Sequence, residues 1–135
     1  MRVLNDAVFA RYNAIPAGND LRAATSAMFP QDAVLNTTGI YLTYQAITIP
    51  HSWLMGPSPK TIREALYQIN AWEQSDSPDG VADVGELIID LYDDALLTVA
   101  GFATIRADVI NEGPIPDPVN KGFQYFVEVR YRLEE

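Results

Sequence analysis

Between Phe123 and Leu133 the chain alternates with a period of two. Phe123, Tyr125, Val127, Val129, Tyr131 and Leu133 fall on one side, and Gln124, Glu128, Arg130 and Arg132 on the other, with Phe126 the exception. Successive side chains of a strand point to opposite faces, so this segment reads as a strand half-buried in an antiparallel pair, one face on a core and one toward water. A cover for such a sheet is also written in the sequence. Over residues 81–98, Val81, Val84, Leu87, Ile88, Leu91, Ala95 and Leu96 form one wide apolar helical face. Asp79 or Ser77 can cap its first turn, Asp83 and Glu86 suit the positive end of its dipole, and Gly101 marks its exit.

Other elements follow from the same periodicities. Leu4, Ala7, Val8, Tyr12 and Ile15 predict an amphipathic helix over 2–14, stopped by Pro16, Gly18 and Asn19. Residues 23–29 read as a short extended piece ending at Pro30, and the β-branched and aromatic run 40–49 as a strand. Residues 61–73 fit a helical stripe (Ile62, Ala65, Leu66, Ile69, Trp72) and a strand face (Ala65, Tyr67, Ile69, Ala71) equally well. Residues 102–111 read as a further strand. The expected architecture is α+β: a mainly antiparallel four- to five-stranded sheet with two helices packed on one face, in a single domain spanning residues 1–135.

Two loops stand out. Residues 50–60 contain Pro50, Gly56, Pro57 and Pro59, which exclude a continued helix or a central strand, yet they carry Trp53, Leu54 and Met55. Large apolar side chains in a loop either fold back onto the core or meet a partner. Residues 113–122 hold Pro114, Pro116 and Pro118, with Ile115 and Asp117 between them, and read as a stiff protrusion.

Composition narrows the function. The net charge of -9 opposes tight binding to nucleic-acid backbones or anionic membranes. The absence of cysteine excludes disulfides and thiolate chemistry. No signal peptide is expected, since Asp6 interrupts the N-terminus before an apolar run develops, and no apolar stretch reaches the roughly 20 residues that span a bilayer.

Catalytic signals are sparse. His51 is the single histidine, and no orienting partner is identifiable, so it reads as a loop or interface residue. Asp90 and Asp94, four apart on the expected helix, suit a metal or acid–base role, but they suit a solvated helix flank as well. Ser75 to Glu86 can be aligned with a twelve-residue calcium loop, with Asp79, Asp83 and Glu86 as ligands. Serines at its first and third positions, and Pro78 between ligands, favour a polar turn with a helix cap. Arg130 and Arg132, flanked by Glu128 and Glu134, suggest a solvated or interface-forming charge ladder.

Taken along its length, the chain resembles the tail terminator, or tail completion, proteins of long-tailed phages. The resemblance rests on the first helix from Val3 to Ala14, Ala27-Met28-Phe29-Pro30, Ile40-Tyr41-Leu42-Thr43-Tyr44, the segment from Arg63 to Trp72 ending in a polar turn, the helix Val84 to Tyr92, and the aromatic-basic ending Val127 to Arg132. The loop 50–60 is longer than the pattern leads one to expect. The resemblance implies that residues 61–73 form a strand. It also implies a structural virion protein without enzymatic activity, cofactor or metal. Such a protein assembles with itself into a ring, commonly of six, at the head–tail junction. The ring caps the tail tube, ends its polymerisation and meets the head connector, and DNA passes through its lumen without specific binding. Assembly would take place in the host cytoplasm. Within that picture Trp53, Leu54, Met55, Ile115 and Asp117 are the expected interface residues. The alternatives are a head-completion or stopper protein at the same junction, and a calcium-dependent binding module.

Overall fold

A computed structural model of the chain describes residues 2–16, 18–30, 39–48, 53–55, 60–117 and 121–134. The elements run α1 (Arg2–Asn13), α2 (Asp20–Ala24), β1 (Met28–Pro30), β2 (Tyr41–Thr48), β3 (Trp53–Met55), β4 (Lys60–Glu73), α3 (Asp79–Tyr92), β5 (Ala103–Asp117) and β6 (Gly122–Glu134). The α+β class stands. The sheet is six-stranded and mixed: the order is β1-β2-β4-β6-β5, β3 pairs with β4, and β1 runs parallel to β2 while the other pairs are antiparallel. A third, short helix, α2, occupies part of the segment expected to be extended. Asn19 caps it by accepting from the Leu21 N–H at 2.9 Å.

The ambiguous segment 61–73 is strand, and register explains why. Ala65, Tyr67, Ile69 and Ala71 lie opposite Tyr131, Val129, Val127 and Tyr125 of β6, so two apolar alternations coincide on one face. Leu42 and Tyr44 of β2 extend this face, and α1 and α3 cover it. The core is contiguous: Leu4 and Val8 of α1, Val81, Val84, Ile88 and Tyr92 of α3, and the inner residues of β2, β4 and β6. Gly85 lets α3 approach the sheet, because a Cβ there would stand 2.2 Å from Cδ1 of Tyr125. The Tyr92 hydroxyl donates to the Val8 carbonyl at 2.7 Å, tying α3 to α1 inside the core.

Helix α3 ends at Tyr92, six residues before the expected end at 98. Asp93 turns extended and Asp94 is left-handed, with φ 55°. The exit bonds to β5 instead: the Asp93 carboxylate accepts from the Val109 N–H at 3.0 Å, and the Asp94 N–H donates to the Ala107 carbonyl at 3.0 Å. Leu97 and Val99 enter the core, whereas Leu96, expected on the buried stripe, is 66% exposed. Gly101, at φ +82°, supports the turn from Val99 to Phe102 and is not the helix exit.

The two proline-rich stretches also differ from expectation. Trp53–Met55 is a strand, pairing antiparallel with Lys60–Ile62 at the start of β4. The prolines of 50–60 flank it, which is compatible with a short peripheral strand. Residues 113–117 continue β5 and do not protrude as a loop: Pro114 and Pro116 lie opposite Tyr125 and Phe123. β5 is an edge strand. Both prolines share one parity, so their missing donors fall on the outer edge, where no ladder bond is lost.

Candidate functional site

The helices cover one face of the sheet. The opposite face carries the alternate residues of β2, β4, β6 and β5, and no described helix packs on it. Its chemistry divides into two zones along the strands.

The first zone is a network of amides and hydroxyls near the C-terminal end of β4. The Asn70 side-chain oxygen accepts from Nε2 of Gln68 at 2.7 Å and from Nε2 of Gln124 at 2.6 Å. The Thr43 hydroxyl accepts from the Trp72 indole at 2.8 Å, with Asn70 Nδ2 at 3.4 Å. Thr43 and Asn70 are each only 3% exposed although no described helix lies above them. A buried amide without partners is costly, so this closed network holds five neighbouring side chains in fixed positions. Ile115 lies opposite Gln124 and is 41% exposed beside the network. Asp117, opposite Gly122, follows on the same face. Burial, and after it the Asp117 carboxylate, raises the Tyr41 phenol above its ordinary range.

The second zone is charged and lies near the N-terminal end of β4. Arg132 reaches Glu64 at 3.4 Å, and Arg130 reaches Glu64 at 3.7 Å and Asp108 at 3.5 Å. Arg106 completes the row, 2.7 Å from Asp108. The arginine side chains are 43–63% exposed, against 21% for Asp108 and 25% for Glu64. Glu64 and Asp108 are thus less exposed than the guanidinium groups they pair, and Glu128 shares this face of β6.

Of the expected interface residues, Ile115 and Asp117 come together beside the amide network. Trp53, Leu54 and Met55 do not join them: β3 pairs with the start of β4, and Gln124 pairs with Trp72 near its end. From Ile62 to Trp72 the strand rises roughly 33 Å, so the two groups mark opposite ends of the sheet. His51 lies outside the described residues. Asp79, Asp83 and Glu86 lie within α3, whose regular helix cannot wrap an ion as a calcium loop does. The segment is a serine-bonded turn, with Ser77 N–H donating to Ser75 Oγ at 3.2 Å and Asp79 N–H to Ser77 Oγ at 3.3 Å. Asp90 and Asp94 do not share a helical face, because the helix ends between them. Among the described residues no cluster of histidine and carboxylate groups is suited to a metal, and no helix is long and apolar enough to cross a membrane.

The sequence pattern marks Arg130 and Arg132 but not their partners Glu64 and Asp108, nor the buried Asn70 and Thr43. The signal for them is the polar parity of 64, 68 and 70 when that segment is taken as a strand. Strand register, which the sequence does not state, is needed to join it to β6.

A family model described as "Tail completion protein gp17" matches residues 6–134. No curated protein matches significantly. Among solved structures, a chain of the virion of a native gene transfer agent particle superposes with a TM-score of 0.68 at 12% identity, covering 98% of this chain and 95% of that one. A second solved chain superposes with a TM-score of 0.60 at 11% identity, covering 98% of this chain and 94% of that one. At these identities the likeness is one of fold.

Proposed function

The chain belongs to the tail completion protein gp17 family, a family of structural virion proteins, and from that membership we propose that it assembles as a ring, commonly of six, on the end of the tail tube. The ring ends tube polymerisation, joins the tail to the head connector, and acts by docking between protein surfaces, without catalysis or cofactor. Assembly takes place in the host cytoplasm, and the protein ends at the head–tail junction.

The observation that carries this reading is the separation of candidate contacts along β4. One end of the sheet bears β3 with Trp53, Leu54 and Met55, and the other bears Ile115 and Asp117 beside a rigid amide network. A subunit bridging a tube on one side and a connector on the other needs contact elements at two distant ends. Supporting it is the charge of -9, which favours a lumen through which DNA slides without releasing counterions into a bound state.

The test is assembly on purified tail tubes, followed by sedimentation, light scattering and electron microscopy. The expected result is tubes of fixed length with a ring at one end, and a loss of capping with Trp53→Ala or Ile115→Asp. Tubes that continue to elongate in excess protein would refute the capping role. Unchanged capping by both variants would remove these two residues from the contacts.

A further inference from the structure

A diagonal row of tyrosines crosses the helix-covered face of the sheet. Tyr44 of β2, Tyr67 of β4 and Tyr131 of β6 lie on neighbouring strands, each displaced by two residues from the next: Tyr44 stands opposite Ile69, and Tyr131 opposite Ala65. Successive ring centroids are 6.4 Å apart, with Tyr67 and Tyr131 edge to face. Phe9 of α1 stacks on the outer end of the row at Tyr44.

Tyr67 and Tyr131 are fully buried, and neither hydroxyl has a hydrogen-bond partner among the described residues. Buried hydroxyls are normally bonded to protein or to ordered water, and a bare one carries its full desolvation penalty. The strands beneath offer nothing, because β4 and β6 are both interior and pair with a neighbour on each side. Asp6 acts electrostatically on Tyr67 and Arg11 on Tyr131, so both phenols reach toward α1, and Tyr67 acts on Tyr131 in turn. Tyr92 of α3 is a further electrostatic neighbour of Tyr131. Its hydroxyl already donates to the Val8 carbonyl at 2.7 Å, but its oxygen keeps lone pairs that accept.

We propose that the core holds an internal water site beneath α1, where one water accepts from the Tyr67 and Tyr131 hydroxyls and donates to the Tyr92 oxygen. About three bonds is the usual complement of a buried water. The water ties β4, β6 and α3 together at the point where α1 covers them, and it supplies the two hydroxyls with the partner that the chain does not. The site stands independently of the ring reading.

Thermal melting at neutral pH of Tyr67→Phe, Tyr131→Phe and the double variant tests it, each first verified as folded by circular dichroism. Each single substitution is expected to lower the midpoint, because it leaves the water and the remaining hydroxyl short of a partner. The double variant is expected to recover most of that loss, since both hydroxyls and the water leave together. Single variants that melt at or above the wild-type midpoint would overturn the proposal, because that is how bare hydroxyls behave when removed. Losses that simply add in the double variant would also overturn it, by showing two separate partners. A crystal structure fine enough to show solvent gives the direct reading: density within hydrogen-bond distance of both hydroxyls is expected. Hydroxyls bonded to each other or to backbone carbonyls would overturn the site even if the melts are coupled.

Discussion

Gly85→Ala tests the packing of α3 on the sheet, and two effects of opposite sign can be separated in it. Glycine in a helix interior costs about 1 kcal/mol relative to alanine, so propensity alone predicts a gain of that size. The surroundings oppose it. A Cβ at Gly85 would stand 2.2, 2.4 and 2.8 Å from Cδ1, Cε1 and Cγ of Tyr125. Carbon atoms settle at roughly 3.5–4.0 Å, so the ring or the helix must shift by more than about 1 Å. The clash involves the base of the ring, so rotating the phenol tip does not relieve it. Overpacking of this degree belongs at the upper end of the usual range, about 2–3 kcal/mol. The net expectation is a loss of about 1–2 kcal/mol, a fall in melting midpoint of roughly 3–10 °C for a chain of this size. Denaturant unfolding of Gly85→Ala, Tyr125→Ala and the double variant completes the cycle. In the Tyr125→Ala background the same substitution should stabilise by about 1 kcal/mol. A gain from Gly85→Ala in the wild-type background, or additivity of the two substitutions, would refute the reasoning.

Gly122→Ala should also destabilise, by about 2 kcal/mol or more, because its Cβ would meet the Glu73 backbone carbonyl at 2.1 Å and backbone gives way less than side chains; chemical denaturation measures it. Tyr67 and Tyr131 have buried hydroxyls without hydrogen-bond partners among the described residues, and burial raises both phenols well above their ordinary range, with Tyr44 and Asp6 adding for Tyr67, and Tyr67 adding for Tyr131 against Arg11. Their folded-state stability is therefore complete below the unfolded value of about 10 and lost as pH rises from there toward the folded values, so Tyr67→Phe with Tyr131→Phe should move the alkaline unfolding midpoint upward and cost little at neutral pH; an unmoved midpoint contradicts this. Asn70→Ala should cost about 1–3 kcal/mol by stripping the shared acceptor from Gln68 and Gln124, read by thermal melting. Tyr92→Phe should cost about 1 kcal/mol through its bond to Val8, and faster amide exchange in α1 would accompany it.

Residues whose pattern repeats within one element are legible in the amino-acid sequence. The period-two run of β6, the apolar stripe of α1 and that of α3 as far as Leu91 stand where the sequence predicts them, because each is set by side chains within a single segment. The errors arise where a partner in another segment decides. Residues 93–98 have adequate helical character, but Asp93 and Asp94 find bonding partners on β5, and no local signal announces Val109 or Ala107. Pro114 and Pro116 suggest a loop until β5 is known to be an edge, where proline is tolerated. For the candidate surface, Arg130 and Arg132 stand out as an exposed pair, but their relation to Glu64 and Asp108 depends on a register spanning three strands.

The edges of the sheet bear on how a chain like this can assemble. A strand with free outer donors and acceptors invites addition of another strand, and such growth has no intrinsic stopping point. Here the outer edge of β5 is bonded by Asp93 and Asp94 over one half and carries prolines over the other. The edge at β1 offers only three residues and ends in Pro30. What remains large and unpartnered among the described residues is the polar sheet face, whose amides and carboxylates are already fixed by their own hydrogen bonds and ion pairs. A surface organised before it meets a partner loses little side-chain entropy on docking. It is also selective, because a wrongly seated neighbour would bury charges without matching them. Blocked edges and an ordered charged face together favour closed association through faces over open-ended pairing through strands.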